Sequence, residues 1–342
     1  MCQLRPLDGL MGPATEIPSG DWVADMSFRY LHSMRHFVGD QEQFQRQVLG
    51  NQVINHQYFL DLDAQYAISP RWSVGLLAPF SFSTRSQVAN GSRIETHADG
   101  IGDTRLSAYF WTWDPTKHPK GNIQLGIGLK TPTGDDGVTD TFVTSTGQAV
   151  VHPVDQSIQP GDGGFGFTLE LNAYRQILPR TILYAQAFYL VNPEDTNGVL
   201  TWRDNNGTTP GAVTSTPTSA GYYEHFMSVP DQFFARGGVS FDLVPKWGLS
   251  LSLGGRIEGV PVRDLLGASD GFRRPGYAVS IEPGIQWMKG PVSVNVSVPV
   301  AVYRNRQQSV ADKLATAASG KFVNGDAAFA DYVVTGSVAV RF

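Results

Sequence analysis

The chain of 342 residues has little cysteine, little charge and no long apolar run. Its single cysteine, Cys2, excludes an internal disulfide and a thiolate metal cluster. Charged residues make up 17% of the chain, below the roughly 25% of soluble domains. No stretch approaches the roughly 18 consecutive apolar residues of a membrane helix. The net charge of −5 argues against a nucleic-acid partner, because nucleic-acid surfaces need a basic patch.

The N-terminus also lacks a charged segment followed by an apolar core, which is the pattern of a secretory signal peptide. If the protein is exported, we expect this sequence to be without its signal peptide. Cys2 next to Met1 could be the acylated cysteine of a lipoprotein. That interpretation is the less favoured one, because no signal sequence precedes the cysteine.

What the chain does contain is alternation of apolar and polar residues with a period of two, the pattern of β-strands with two different faces. In one segment Tyr58, Leu60 and Leu62 alternate with Asp61 and Asp63. Twelve segments show this pattern, over residues 25–31, 57–66, 73–82, 105–110, 123–130, 165–172, 183–191, 233–242, 249–258, 279–287, 292–302 and 331–342. A chain can be embedded in lipid at modest hydropathy if only every second residue of a strand faces the lipid.

The connections between these segments are alternately short and long. The short ones contain Pro or Gly, at 69–71, 178–180, 244–246 and 289–291, with a slightly longer one at 114–121. The long ones are polar, at 34–52, 84–99, 131–163, 193–226, 259–273 and 304–329. Tight periplasmic turns and long outer loops are typical of outer-membrane barrels.

We therefore predict a single all-β domain over residues 1–342. It is a transmembrane antiparallel up-and-down barrel of about twelve strands, with short periplasmic turns and long extracellular loops. Six hairpins place both termini on the periplasmic side, and residues 1–20 are expected to form an N-terminal periplasmic segment. The protein is then an integral component of a bacterial outer membrane, and its partners include outer-membrane lipid and lipopolysaccharide.

Aromatic residues on the apolar face fall at both ends of the predicted strands. Those beside the short turns are Tyr66, Trp72, Trp247, Trp287 and Phe342, and those beside the long loops are Tyr30, Phe82, Phe165, Tyr277 and Tyr332. Two such rings are typical of membrane-interface girdles. Trp111 and Trp113 lie on the other face and fit neither ring. Phe342, which closes an apolar-alternating strand, resembles the signal that the barrel-assembly machinery recognises.

The opposite face of the strands is predicted to line the lumen. Its candidate residues are Arg29, Asp61, Asp63, Arg105, Tyr109, Lys130, Glu170, Tyr184, Arg236, Asp242, Arg256, Glu258 and Glu282. Both signs of charge are present, which predicts either ion pairs that fill the lumen or a weakly selective path. Phe59 and Phe188 on this face could guide an aromatic solute or simply fill gaps, and gap filling is the favoured interpretation.

Four short blocks resemble a known family, the MetA-pathway of phenol degradation family. They are residues 100–109, 125–135, 159–166 and 271–277, which contain GIGDTRLSAY, LGIGLKTPTGD, QPGDGGFG and GFRRPGY. The resemblance implies an outer-membrane barrel that acts as a transporter for small, aromatic or hydrophobic molecules. It carries no catalytic residues over to this chain.

The favoured function is a channel or facilitator for passive uptake or efflux of such a small-molecule solute. A structural or partner-binding barrel with a closed lumen is the alternative. A lipid hydrolase is less favoured, because the adjacent pair His32 and Ser33 point to opposite faces of one strand. No cofactor or metal is predicted. Asp135, Asp136 and Asp140 could bind Ca²⁺, but they lack EF-hand spacing, and a solvated acidic loop is favoured.

Overall fold

The computed structural model describes residues 17–89, 91–143, 147–201 and 220–342, which form a closed antiparallel barrel of twelve strands. The sheet closes because the first long strand (Trp22–Val38) pairs with the last (Ala327–Arg341), with Met26 opposite Val338. Closure leaves no free sheet edge, so the backbone groups of the barrel wall are paired with one another. Most of the predicted N-terminal segment, residues 1–16, lies outside the described residues.

The strands in chain order are β1 (Trp22–Val38), β2 (Gln41–Glu42), β3 (Ile54–Ala67), β4 (Trp72–Ala89), β5 (Ser92–Ile101), β6 (Thr104–Trp111), β7 (Gly121–Thr131), β8 (Thr139–Val143), β9 (Ala149–Pro153), β10 (Gly166–Leu178), β11 (Thr181–Val191), β12 (Thr196–Leu200), β13 (Phe226–Ser228), β14 (Gln232–Val244), β15 (Leu249–Val260), β16 (Gly276–Lys289), β17 (Val292–Ser297), β18 (Val300–Arg306) and β19 (Ala327–Arg341). The helices are α1 (Phe44–Val48), α2 (Ala220–Tyr223) and α3 (Val310–Ser319), with a 3₁₀ turn at Pro245–Trp247. Within the described residues, no helix has the length and apolar character needed to cross a bilayer.

Two of the barrel strands are interrupted. Both β5 and β6 pair with β4, and both β17 and β18 pair with β16. The sequence predicted an unbroken strand over residues 292–302, which is wrong at Val298 and Pro299. The break follows from Pro299, which has no N–H to donate to the ladder.

One predicted long loop is also wrong. Residues 84–89 belong to β4 and residues 92–99 to β5, which pair as a hairpin, and Gly91 before β5 has a φ of +74°. The other long connections contain short elements of their own, such as the β8–β9 hairpin and helix α3. The Ser309 side chain accepts a hydrogen bond from the Asp312 backbone N–H at the start of α3, in a capping box.

The outer face of the barrel is apolar and the inner face polar, because successive side chains of a strand point to opposite faces. Leu76 and Leu253 on the outer face are 53% and 60% exposed. Their strand neighbours Ser73 and Arg256 are buried inside. A barrel with this distribution presents its apolar side chains to lipid rather than to a protein core.

The predicted girdle residues lie at the two ends of the barrel. Trp72, Trp247 and Phe342 are exposed at the end with the short turns (the turn end), where Tyr66 also packs on Trp22 with ring centroids 4.9 Å apart. Trp287 also faces outward at the turn end. At the opposite end (the loop end), the outward-facing predicted residues include Phe82, Tyr332, Tyr277 and Tyr30. The sequence did not anticipate Trp22. The role of these residues at a membrane interface stays a prediction.

The position of the Trp111 side chain shows why this residue belongs to neither girdle. Its side chain is buried inside the barrel at the turn end and meets the Tyr174 ring edge-on, with centroids 6.1 Å apart. Trp113 lies beyond the end of β6 and is partly exposed. The lumen therefore contains an aromatic pair near its turn end.

Candidate functional site

The structure places the predicted lumen residues on the inner wall, and most are buried. The buried ones are Arg29, Asp61, Asp63, Arg105, Tyr109, Lys130, Glu170, Tyr184, Arg236, Arg256 and Glu282, whereas Glu258 and Asp242 are partly exposed. So many buried charges are tolerable only if opposite charges meet.

Ion pairs of that kind line the wall. They are Arg29–Asp61 at 3.5 Å, Arg105–Glu170 at 3.5 Å, Arg236–Glu282 at 2.9 Å and Arg256–Glu258 at 2.9 Å. Each pair sets one positive side chain against a negative one, so the mixed charges cancel locally. We therefore expect the inner wall to select only weakly between cations and anions.

Glycines on strand β7 allow one of these pairs to form. Arg105 and Tyr109 lie on β6 and Glu170 lies on β10, with β7 between them. The inner face of β7 carries Gly126 at this level, and a Cβ there would lie 2.8 Å from the Tyr109 ring and 3.0 Å from the Glu170 Cβ. The absence of a side chain at Gly126 lets the Tyr109 ring lie beside Glu170, and a Cβ at Gly128 would lie 3.3 Å from the Arg105 Cγ atom.

Apolar side chains from three strands meet inside the barrel. Leu77 from β4 packs with Phe188 and Leu190 from β11 and Phe234 from β14, and all four are buried. We call these four residues the constriction. The Arg105 guanidinium lies 5.4 Å from the centroid of the Phe188 ring. The interior thus holds an apolar cluster beside the Arg105–Glu170 ion pair, whereas the sequence predicted a polar interior.

The loop between β7 and β10 folds into the barrel. Val154 and Ile158 of this loop are fully buried and pack on Ala98 of β5. The side chain of Gln57, on the inner face of β3, donates a hydrogen bond to the Ser157 carbonyl. Residues 154–162, which we call the plug segment, therefore occupy part of the lumen at the loop end.

Two clusters of charge hold the plug segment. The Arg274 guanidinium donates to both oxygens of Asp155, at 2.7 and 2.6 Å, and the Arg85 Nη2 atom lies 3.3 Å from the Asp155 Oδ2 atom. Burial raises the pKa of the Asp155 carboxyl, but the two arginines outweigh burial and hold its pKa well below the ordinary value of 3.8.

At the other end of the segment, Lys130 is fully buried and contacts the carboxylates of Asp162 and Asp103. Asp103 also accepts hydrogen bonds from the backbone N–H groups of Asp162 and Gly134, each at 3.0 Å. Lys130 thus anchors the loop to the wall in addition to facing the lumen.

A cavity of about 340 Å³ lies between the plug segment and the wall. Its lining is mostly apolar and includes Leu31, Phe59, Met227, Phe272 and Val333. Its polar lining includes Arg29, Arg85, Asp155 and Arg274. The volume lies at the lower end of the roughly 300–1,000 Å³ of small-molecule sites. A cavity whose lining surface is mostly apolar but includes several arginines and carboxylates suits a small amphiphilic or aromatic molecule.

Sequence reasoning missed several of these residues. Leu77 and Phe234 are the second members of the apolar doublets Leu76-Leu77 and Phe233-Phe234, which strict alternation does not require. Such doublets were the available signal for apolar residues pointing inward. Nothing local marked Asp155, Arg85 and Arg274 as a cluster, because they come together only when the loops fold inward.

The residues considered for hydrolysis, His32 and Ser33, do not come together in the structure. His32 stacks on His56 with ring centroids 4.4 Å apart, whereas the buried Ser33 hydroxyl accepts from Asn55 on the opposite face of β1. Among the described residues, no group of three or more His, Cys, Asp and Glu side chains could hold a metal ion.

Comparison with known proteins supports the fold. The chain is similar to the COG4313 outer membrane channel from Pseudomonas putida F1, with a TM-score of 0.58, 10% identity, and coverage of 99% of this chain and 100% of that chain. Weaker likenesses, at 10% identity, are to the translocator domain of the autotransporter NalP from Neisseria meningitidis (TM-score 0.46, 96% and 90% covered) and to the P. putida toluene transporter TodX (0.42, 97% and 92%).

The first likeness shows a shared barrel fold, and the two scores below 0.5 carry no argument. No family model matches the chain. No curated protein matches it either. The resemblance to the MetA-pathway family therefore stays a prediction.

Proposed function

We propose that this protein is an outer-membrane channel through which small aromatic or hydrophobic molecules diffuse passively. The observation that carries the proposal is the mostly apolar cavity of about 340 Å³ at the loop end of a barrel whose outer face is also apolar. Ion pairs line the wall near it, so a neutral solute meets little net charge. The membership of the MetA-pathway family, with its aromatic substrates, is part of this proposal.

In this proposal the loop end faces outward and both termini face the periplasm. The solute enters the cavity beside Phe59 and Phe272, then passes the constriction at Leu77 and Phe188. The girdle aromatics contact outer-membrane lipid and lipopolysaccharide, and the C-terminal strand ending in Phe342 is the segment recognised by the barrel-assembly machinery. The direction of net flow follows the concentration gradient.

The test compares a large side chain placed in the cavity with the same side chain placed on the outer face of the barrel. Val333 lines the cavity, and its neighbour Val334 points to the opposite face of β19. We expect Val333→Trp to lower the initial uptake of labelled benzyl alcohol by cells that produce the protein, whereas Val334→Trp leaves uptake unchanged. Equal uptake by cells with and without the wild-type protein would contradict the channel.

A partner-binding or structural barrel with a closed lumen is the second candidate. The constriction and the inward plug segment favour it, because both occupy the lumen. Single-channel recording in planar bilayers separates the two candidates. A wild-type barrel that conducts no current, together with unchanged solute uptake, supports the closed barrel.

A further inference from the structure

We propose that the cavity binds the carboxylate group of an amphiphilic solute, at the position that the Asp155 carboxylate occupies in this structure. The inference rests on the proposed channel function and adds aromatic or short aliphatic carboxylates to its solutes. It implies that a solute competes with a residue of the channel itself for the same two arginines.

The geometry around Asp155 is that of a carboxylate-binding site. Arg274 donates from Nη1 and Nη2 to the two carboxylate oxygens at 2.7 and 2.6 Å, which is the bidentate arrangement that guanidinium groups form with carboxylates. Arg85 adds a second guanidinium at 3.3 Å. Two guanidinium groups therefore face one carboxylate, and the negative charges of Glu224 and Asp326 also act on Arg274.

The same cluster opens on the apolar cavity. Asp155, Arg85 and Arg274 all line it, and the Arg274 guanidinium lies 4.5 Å from the centroid of the Phe272 ring. Phe272 is buried and also lines the cavity. A solute with its carboxylate on Arg274 could therefore place its apolar part against Phe272 and the neighbouring apolar wall.

The two arginines are positioned by groups other than Asp155. Arg85 belongs to β4 and donates from Nη1 to the Asn55 side chain of β3 at 3.2 Å. The Arg274 guanidinium lies 4.5 Å from the centroid of the Phe272 ring, and the preceding residue, Arg273, is paired with Asp264 at 2.6 Å. Both arginines should therefore stay in place when the plug segment moves away, and the site should persist.

Exchange of one carboxylate for another conserves the charge and the number of hydrogen bonds. The bonds that Arg274 makes to Asp155 are replaced by equivalent bonds to the solute, while Asp155 moves into solvent. Asp155 competes with the solute carboxylate for the two arginines. Because Asp155 is part of the same chain, its effective concentration at the site is high. Removal of its charge should consequently strengthen solute binding.

The test measures binding of benzoate and of benzamide, its neutral analogue of the same shape, to the full chain in lipid nanodiscs by calorimetry. We expect Asp155→Asn to bind benzoate about tenfold more tightly than the wild-type chain, with little change for benzamide. Arg274→Gln should abolish the preference for benzoate. Arg274→Lys, which keeps the charge but loses the planar fork, should retain only part of it.

The matched controls are Asp135→Asn in the same loop and Arg263→Gln in the loop of Arg274, both at exposed positions outside the cavity. Equal affinity for benzoate and benzamide in both the wild-type chain and Asp155→Asn overturns the carboxylate site. If benzyl alcohol uptake by cells stays intact in that case, the channel function survives. Loss of uptake and of all binding overturns the channel function itself.

Discussion

Buried charges inside the barrel are held in place by their neighbours across the strands. Arg105 lies 3.5 Å from Glu170 across strand β7, where a Cβ at Gly128 would lie 3.3 Å from the Arg105 Cγ atom. Tyr109 crosses Gly126 on the same strand, and its hydroxyl lies 3.5 Å from the Glu170 carboxylate. The sequence alternation placed all three polar residues on the inner face. It could not identify the partners, because they lie 61 to 65 positions apart along the chain.

Replacement of Gly126 should therefore disrupt this cluster. In Gly126→Val the new Cβ would lie 2.8 Å from the Tyr109 ring, so the ring must move and Glu170 loses its neighbours. We expect a loss of about 1–3 kcal/mol in unfolding free energy, measured by urea unfolding in liposomes with tryptophan fluorescence. Gly255→Val is the control, because a Cβ at Gly255 has no atom within 4 Å. Equal losses in both variants would contradict the close approach.

At the scale of elements, the plug segment depends on its two charged anchors. Lys130 comes from the end of β7, whereas Arg274 and Arg85 come from the loop before β16 and from β4. The segment itself contributes few apolar side chains, among them Val154 and Ile158. Its position is consequently sensitive to the ionisation of the carboxylates that it presents.

The pH dependence of the plug follows from Asp155. Because its pKa in the folded protein is held well below 3.8, the interaction with Arg274 and Arg85 is complete above that value. It is lost as the pH falls further, through the depressed pKa. We expect the part of the single-channel conductance that depends on Asp155 to stay constant from neutral pH down to about pH 4 and to rise only in stronger acid.

The control for this acid step is Asp155→Asn, which cannot titrate at that position. Its conductance should already be raised at neutral pH, and the part of the acid response that depends on Asp155 should disappear. An unchanged acid response in Asp155→Asn would show that the acid step does not depend on the Asp155 anchor.

On the scale of the whole molecule, the barrel brings strands that are not neighbours in the sheet together at the constriction. Leu77 of β4 and Phe188 of β11 are more than one hundred residues apart in the chain, yet both are buried in the same apolar cluster. No pattern within one strand encodes such a contact, since it depends on the diameter of the closed barrel and on the length of each side chain.

Truncation of the constriction should widen the path. We expect Leu77→Ala combined with Phe188→Ala to increase single-channel conductance severalfold, while each change lowers stability by about 2–5 kcal/mol. Leu76→Ala is the control, because Leu76 points outward and is 53% exposed. If the double variant conducts no more than Leu76→Ala, the constriction does not limit the path.

The sequence by itself determined the number of barrel strands, the face that meets lipid and the positions of the inward charges. It could do so because lipid outside and a polar wall inside impose a period of two on every strand that crosses the bilayer. The prediction of a long loop over residues 84–99 was wrong because this alternation is imposed only inside the bilayer. Beyond the bilayer the outer face no longer needs apolar side chains, so the continuation of β4 and β5 resembles a loop.

The tertiary structure alone decided how the lumen is filled. The inward plug segment, the anchoring of Asp155 by Arg274 and Arg85, and the cavity beside them all arise from loops that meet distant strands. The strand break at Pro299 and the apolar constriction belong to the same class of feature. Alternation along a strand shows only which residues face inward and which face outward. The filling of the lumen depends on which residues the closed barrel brings close to one another.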